Sequence, residues 1–464
     1  MEEINLEELT FEKDDLLNRR QIAVNLTNII KNKSNLNVLA IDSSWGTGKT
    51  TFINKWISML KTDFNYNDTF ETIYFNAWKN DYSNDALLSL ICEINKSISK
   101  TLENNKTLFE KHNEKFKNIG KLAGTLAIKY LTRGALDLVE WNKSIEDGLS
   151  DFSSKIGESI FKQHSIQNDT RKALKKNLIE YQNIINKKII IFIDELDRCK
   201  PSYAIQILET IKHLFNLNNY IFVISLDKEQ LSHSIKTIYG ENMDSQGYLR
   251  RFFDLEYLLP NSQLKTYIDF KLKELDTNLI NLKYIKIFLT EIFTSEDYTL
   301  RDIEKTIPFI ELLLLNVNYF TKNLEDINLT DYHLLVTSYL YSFIIDLKIK
   351  HPNLLKDLLN CNYENNSSGF SKFKKFGIKK TNLEYSYFSI DLTKVLDMFL
   401  KLNLLISKTS IENVISTQDN NYIIGKKIWN TQDYDWRYSV NLTVYFKDEN
   451  ILEKLYFTEK FSIS

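Results

Sequence analysis

Cysteine is scarce in this chain. Its 464 residues include three, Cys92, Cys199 and Cys361, too far apart for a Cys-x-x-Cys pair. That leaves no basis for a disulfide framework or a cysteine zinc site. Four prolines and 12 glycines are too few for long flexible linkers. The start, Met1-Glu2-Glu3-Ile4, is acidic and lacks the apolar stretch of a secretory signal. A cytoplasmic protein in a reducing compartment is therefore expected. The net charge is −2, so no global field draws nucleic acid or anionic membrane to the chain. Any such contact has to come from a local patch. No repeat with a period of 20–50 residues is present.

What is there is ordinary for a globular protein, 43% hydrophobic and 26% charged. The length exceeds what one core supports, so two or three domains are expected. Residues 14–32 read as a helix with Leu16, Leu17, Ile22, Ala23 and Leu26 apolar. Short apolar runs recur at 38–41, 72–75, 189–193 and 220–224, with a fifth candidate at 254–259 stopped by Pro260. Helical patterns follow at 51–60 and 204–217. Strands alternating with helices predict an α/β fold with a parallel, doubly wound sheet of about five strands. The expected division is a core of residues 1–79 and 187–260 interrupted by a helical insertion, 80–186. A helical lid, 261–360, and a mixed α/β or β-rich module, 361–464, complete it. The module is read from aromatic and β-branched residues with turn signals such as Asp419-Asn-Asn421.

Ser43-Ser-Trp-Gly-Thr-Gly-Lys-Thr50 lies between an apolar run and a helix, the setting of a phosphate-binding loop. Gly46 and Gly48 let backbone amides turn inward, and with the helix N-terminus these make an anion site. Lys49 is placed to reach the β- and γ-phosphates and Thr50 to coordinate Mg²⁺. Ser44, Trp45, Gly46, Thr47, Gly48 and Thr51 complete the expected cradle. The first position is Ser43, where the usual pattern has glycine.

Asp194-Glu195 ends the wholly apolar run 189–193. Carboxylates at the C-terminal edge of a buried strand lie near the phosphate loop in such sheets. Asp194 is the expected Mg²⁺ ligand and Glu195 the general base that polarises water. Arg198 has two readings, a γ-phosphate sensor or the partner of a neighbouring carboxylate. Asp227 follows the fourth apolar run, where a polar residue can position the lytic water.

Taken together, Trp45-Gly-Thr-Gly-Lys-Thr50, Phe75-Asn-Ala-Trp78, Phe192-Ile-Asp-Glu-Leu-Asp-Arg-Cys199, Phe222-Val-Ile-Ser-Leu-Asp227 and Tyr248-Leu-Arg-Arg-Phe-Phe253 resemble the KAP family of P-loop NTPases. The resemblance runs over about residues 14–310. It implies an added-strand topology with a catalytic glutamate, and ATP hydrolysis. It implies that Asp15 to Ala23 walls the adenine site, with Arg19 and Ile22 as candidates. Arg301, in Thr299-Leu-Arg-Asp-Ile-Glu304, is implied as a lid-borne second sensor, and Arg250 or Arg251 as an arginine finger. Asn76 and Trp78 read as structural or hinge residues. Soluble members of the family include phage-exclusion proteins, which implies an anti-phage role in a multi-protein system.

Many members carry membrane spans between the phosphate loop and the acidic strand. Here the best stretch, Ile119 to Val139, contains Lys121, Lys129, Arg133 and Asp137. Its uncharged part, Leu122 to Ile128, is far short of the ~20 residues a span needs, and each central charge costs roughly 2.5–3.5 kcal/mol. An amphipathic helix is expected instead, packed on protein, with lying on a membrane surface as the alternative. Phe370 to Lys380 holds five lysines and three phenylalanines. It reads either as a solvated loop with a few buried rings or as a nucleic-acid contact. The expected function is a Mg–ATPase that controls a protein partner, with a homo-oligomer possible. The alternatives are an ATP-dependent assembly switch with little turnover and a nucleic-acid-stimulated ATPase.

Overall fold

The computed structural model describes residues 9–83, 86–102, 172–173, 175–214, 217–260, 264–275, 282–295, 298–317, 327–362, 382–385 and 388–391, with a few isolated positions. Two compact units divide at Asn261 and Ser262.

The first unit runs α1 (Arg20–Asn32), β1 (Val38–Asp42), α2 (Lys49–Thr62), β2 (Phe70–Asn76), α3 (Ala86–Leu102), β3 (Lys188–Asp194), α4 (Pro201–Leu214), β4 (Tyr220–Leu226), α5 (Lys228–Tyr239) and β5 (Leu255–Leu258). The five strands form one sheet in the order β2-β3-β4-β1-β5, and every pairing is parallel. The strand β4 is thus interposed between β1, which leads into the phosphate loop, and β3, which carries the acidic pair.

Why β3 and β4 are apolar throughout follows from what covers them. Ile189, Ile191, Ile193, Phe222 and Ile224 pack on one face among buried residues of α3, α4 and α5. Ile190, Phe192, Ile221 and Val223 pack on the other, against α1 and α2. A sheet buried on both sides needs apolar residues at every position, not every second one. Trp56 of α2 is fully buried between Phe52 and Phe192, with its indole donating to Thr27 Oγ1 at 2.8 Å.

One expected helix divides. The pattern over 14–32 is broken by Asn18, which takes a left-handed φ of 51°. The Asp15 carboxylate accepts the Arg19 and Arg20 amides at 2.7 and 2.8 Å, so the helix restarts at Arg20 with its first donors satisfied. A separate four-residue turn covers Phe11–Asp14. The periodicity of Leu16 and Leu17 carried no sign of this acidic cap. The fifth strand is shorter than 254–259, because Asp254 turns its carboxylate onto the Asn37 and Val38 amides at 2.8 and 2.9 Å. The helix expected at 119–139 and the basic run 370–380 lie outside the described residues.

The second unit contains α6 (Leu264–Glu274), α7 (Leu282–Ser295), α8 (Leu300–Val317), α9 (Ile327–Lys350) and α10 (Pro352–Leu359), followed by an antiparallel pair, β6 (Asn382–Tyr385) and β7 (Phe388–Asp391). No described helix is long and apolar enough to cross a membrane. The start of α8 is a reciprocal cap. The Thr299 amide donates to Asp302 Oδ2 at 3.0 Å, and the Asp302 amide to Thr299 Oγ1 at 3.2 Å. The Lys350 ammonium then ties Asp302 to α9 at 2.9 Å.

Burial alone would push the Asp302 carboxyl up. The Thr299 amide and hydroxyl and the Lys350 ammonium outweigh it and hold it below the usual carboxylate value. A carboxyl lowered in the folded state stabilises the fold above its unfolded value and loses that contribution as pH falls through the folded one. Replacing Asp302 by Ala is therefore expected to reduce amide-exchange protection in α8 at neutral pH. The gap from wild type should close below about pH 4, the ordinary aspartate value. A gap that persists unchanged into acid would contradict the assignment.

Candidate functional site

The phosphate loop joins β1 to α2. Gly46 and Gly48 sit at φ 77° and 82°, backbone that a side chain makes costly. Ser43 does not take a positive φ, so a Cβ is accommodated there. Its buried hydroxyl is 2.6 Å from that of Thr47, whose own hydroxyl donates to the Ser44 carbonyl at 2.8 Å. The departure from glycine at the first position thus has a local structural answer.

Three side chains from outside fix the loop. Buried Arg19 donates to the Thr47 carbonyl at 2.9 Å and the Pro260 carbonyl at 3.0 Å, and burial pulls its guanidinium down to about 10. Its Nε has no hydrogen-bond partner among the described residues. Asp227 accepts the Trp45 amide at 3.1 Å while its other oxygen caps α5 through the Gln230 amide at 3.1 Å. Asp197 accepts the Trp45 indole N–H. Trp45 is thereby held from both sides, although its side chain is 43% exposed. Ile22, within α1, is partly buried against the core, and Thr51 lies in the first turn of α2.

Lys49 folds back on its own loop, its ammonium donating to the Ser43 carbonyl and, at 3.1 Å, to that of Ser44. Burial lowers its pKa against the opposing pull of Asp197, Asp227, Asp194 and Asp42. Four carboxylates thus act on one ammonium.

Asp194 is 1% exposed. Burial pushes its carboxyl up, while the Thr50 and Ser225 hydroxyls beside it favour the charged form. Its Oδ1 accepts the Glu195 amide at 2.9 Å, and the Tyr74 hydroxyl reaches Oδ2 at 3.3 Å. The loop residue Thr50 and the strand-end Asp194 therefore meet, across the interposed β4.

Glu195 adopts φ 60°, ψ 31°, a left-handed conformation that costs a non-glycine residue on the order of 1–3 kcal/mol. Its side chain is held at both oxygens. Asn76 Nδ2 donates to Oε2 at 2.9 Å, and Arg198 Nη1 lies 2.7 Å from Oε1. Arg198 thus pairs with a neighbouring carboxylate, the second of its two readings. The guanidinium also stacks 5.5 Å from the Trp78 ring centroid.

Among the described residues no group of three or more His, Cys, Asp or Glu side chains is arranged to hold a metal. A single carboxylate with a hydroxyl beside it is the donor set that suits Mg²⁺ arriving on a phosphate, since that ion keeps waters and takes few protein ligands. Arg301 is exposed in the first turn of α8, in the second unit. Arg250 and Arg251 are exposed just after the Ser245–Leu249 helix.

Sequence reasoning missed Tyr74, Asp197 and Asn76 as members of the site. Asn76 joins the site through the ladder, which pairs it in register with Asp194.

A parallel sheet with this strand order, a glycine-turned loop opening a helix and an acidic strand end beside it define a P-loop domain. Residues 19–318, more than half of the chain, match the KAP family P-loop domain. The chain belongs to that family. An uncharacterized protein of Methanocaldococcus jannaschii is 25% identical over 167 residues, covering 32% of this chain and 86% of its own. The ORC2 protein of Aeropyrum pernix, solved in ADPNP–ADP complexes, aligns at 10% identity and a TM-score of 0.36 over 83% of this chain and 95% of its own. A score that low does not establish a shared fold.

Arg19→Met is expected to leave the buried Thr47 carbonyl without its donor. The cost should be about 1–3 kcal/mol for each orphaned group, read as a lower denaturant midpoint of the first unit. A midpoint equal to wild type would show that Arg19 does not brace the loop.

Proposed function

We propose that this chain binds and hydrolyses ATP with Mg²⁺ and uses the cycle to control a protein partner. The observation that carries the reading is the convergence of Lys49, Thr50 and Asp194 at one end of the sheet, with Glu195 adjoining. The inward amides of the loop and the N-terminus of α2 suit a polyphosphate. Lys49 would leave the Ser43 and Ser44 carbonyls to neutralise β- and γ-oxygens. Thr50 and Asp194 would hold Mg²⁺, which supplies charge neutralisation on the phosphates when bound. Glu195 would accept a proton from the attacking water, with Asn76 orienting the carboxylate. Arg19 and Ile22 are proposed for the adenine side, Asp227 for placing the water, Arg198 and Arg301 for sensing the γ-phosphate, and Arg250 or Arg251 as fingers in an oligomer.

The chain is proposed to work in the cytoplasm within a multi-protein system. Anti-phage defence is the role that membership of its family favours. A second reading, an ATP-dependent assembly switch with little turnover, draws support from the engagement of both Glu195 oxygens. Nucleic-acid stimulation rests only on the 370–380 lysines.

Phosphate release from wild type, Glu195→Gln and Lys49→Ala decides between turnover and switching. Loss of the general base is expected to slow turnover about 10²–10⁴-fold while nucleotide still binds. Lys49→Ala should lose binding as well. Equal release from all three would remove the enzyme reading. Binding that depends on Lys49, without release that depends on Glu195, would favour the switch.

A further inference from the structure

The end of β2 and the residues just beyond it grip the residues just beyond β3 at three points. Asn76 donates to Glu195 Oε2 at 2.9 Å. The Trp78 ring lies under the Arg198 guanidinium at 5.5 Å, and Arg198 in turn holds Glu195 Oε1 at 2.7 Å. Asp81 Oδ2 accepts the Lys200 amide at 3.0 Å, and the Asp81 carbonyl receives the Lys200 ammonium at 3.4 Å. The grip spans Asn76 to Asp81 on one side and Glu195 to Lys200 on the other, so it brackets the whole turn in which Glu195 stands left-handed. Such a conformation persists only where its surroundings over-determine it.

The gripping segment is one turn of helix, Ala77–Asn80, and a tighter turn, Asp81–Ser83. It leads into α3 and the long connection to β3. Trp78 is 51% exposed, more than hydrophobic packing alone requires of a tryptophan, and its described partner is the arginine that holds the carboxylate.

We infer that Trp78 and Asp81 are positioning residues for Glu195, acting through Arg198 and Lys200, so that the orientation of the carboxylate is set from the root of the β2–β3 connection. The inference rests on the proposed hydrolysis. Displacement of that root frees Arg198 from Trp78 and lets the 195–200 turn relax from its left-handed start. Neither residue itself touches the phosphate loop, and only Asp197 within the turn does, through the Trp45 indole, so turnover is expected to fall far more than nucleotide affinity.

The test uses the full chain with Trp78→Ala and Asp81→Ala beside the conservative Trp78→Phe and Asp81→Asn, which keep a ring and a carbonyl acceptor. Phosphate release, mant-ATP affinity and amide exchange over 195–200 are measured for each. The alanine variants are expected to lose about tenfold in kcat, with KM and affinity within about twofold and faster exchange confined to 195–200. The conservative variants should recover most of the rate. Unchanged kcat, or a fall shared by affinity, overturns the inference. So does unchanged exchange. If wild type releases no phosphate beyond Glu195→Gln, the hydrolytic reading fails by itself. The exchange over 195–200 then decides the grip, quickening sustaining it and constancy overturning it.

Discussion

Asp194 is a carboxylate buried at the mouth of a parallel sheet, and most of the site is arranged around that fact. A buried carboxylate is unfavourable unless it is hydrogen-bonded. Here the Tyr74 hydroxyl and the Glu195 amide supply hydrogen bonds, and the Thr50 and Ser225 hydroxyls beside it favour the charged form. Each comes from a different strand end or loop. β1 brings Thr50 through the phosphate loop, β2 brings Tyr74, and β4 brings Ser225. Parallel pairing places all of these at the same edge, so the register of the strands and the chemistry of the site are a single constraint.

Carboxylates crowd the same edge. Lys49 faces Asp197, Asp227, Asp194 and Asp42. Asp197 and Asp227 are not idle, since between them they fix Trp45 by its indole and its amide. The loop is thus pre-shaped before any phosphate arrives, with Arg19 bracing it from beneath. Pre-shaping matters because donors already in place need no reorganisation when charge appears.

The strands, the loop and the acidic pair were legible because each has a short-range signature. Apolar runs mark β1 to β4, two glycines mark the positive-φ turns, and Asp194-Glu195 follows a run too apolar to be anything but buried. The break at Asn18 was not legible. An acidic cap and a left-handed asparagine interrupt the helix without disturbing its apolar period. Nor was the role of Asn76. It depends on the register of β2 against β3, strands separated by more than a hundred residues, and no local pattern encodes a pairing across that distance. The left-handed backbone of Glu195 was equally hidden, since glutamate has no intrinsic preference for it.

Ser43 has a consequence for how such chains are found. Where the familiar pattern writes glycine first and again before the lysine, this loop takes positive φ only at 46 and 48. The first position accepts a side chain and puts its hydroxyl to use against Thr47. A motif search that insists on glycine there would pass over this chain and any homologue that made the same exchange. Tolerance at that position belongs in the definition of the motif.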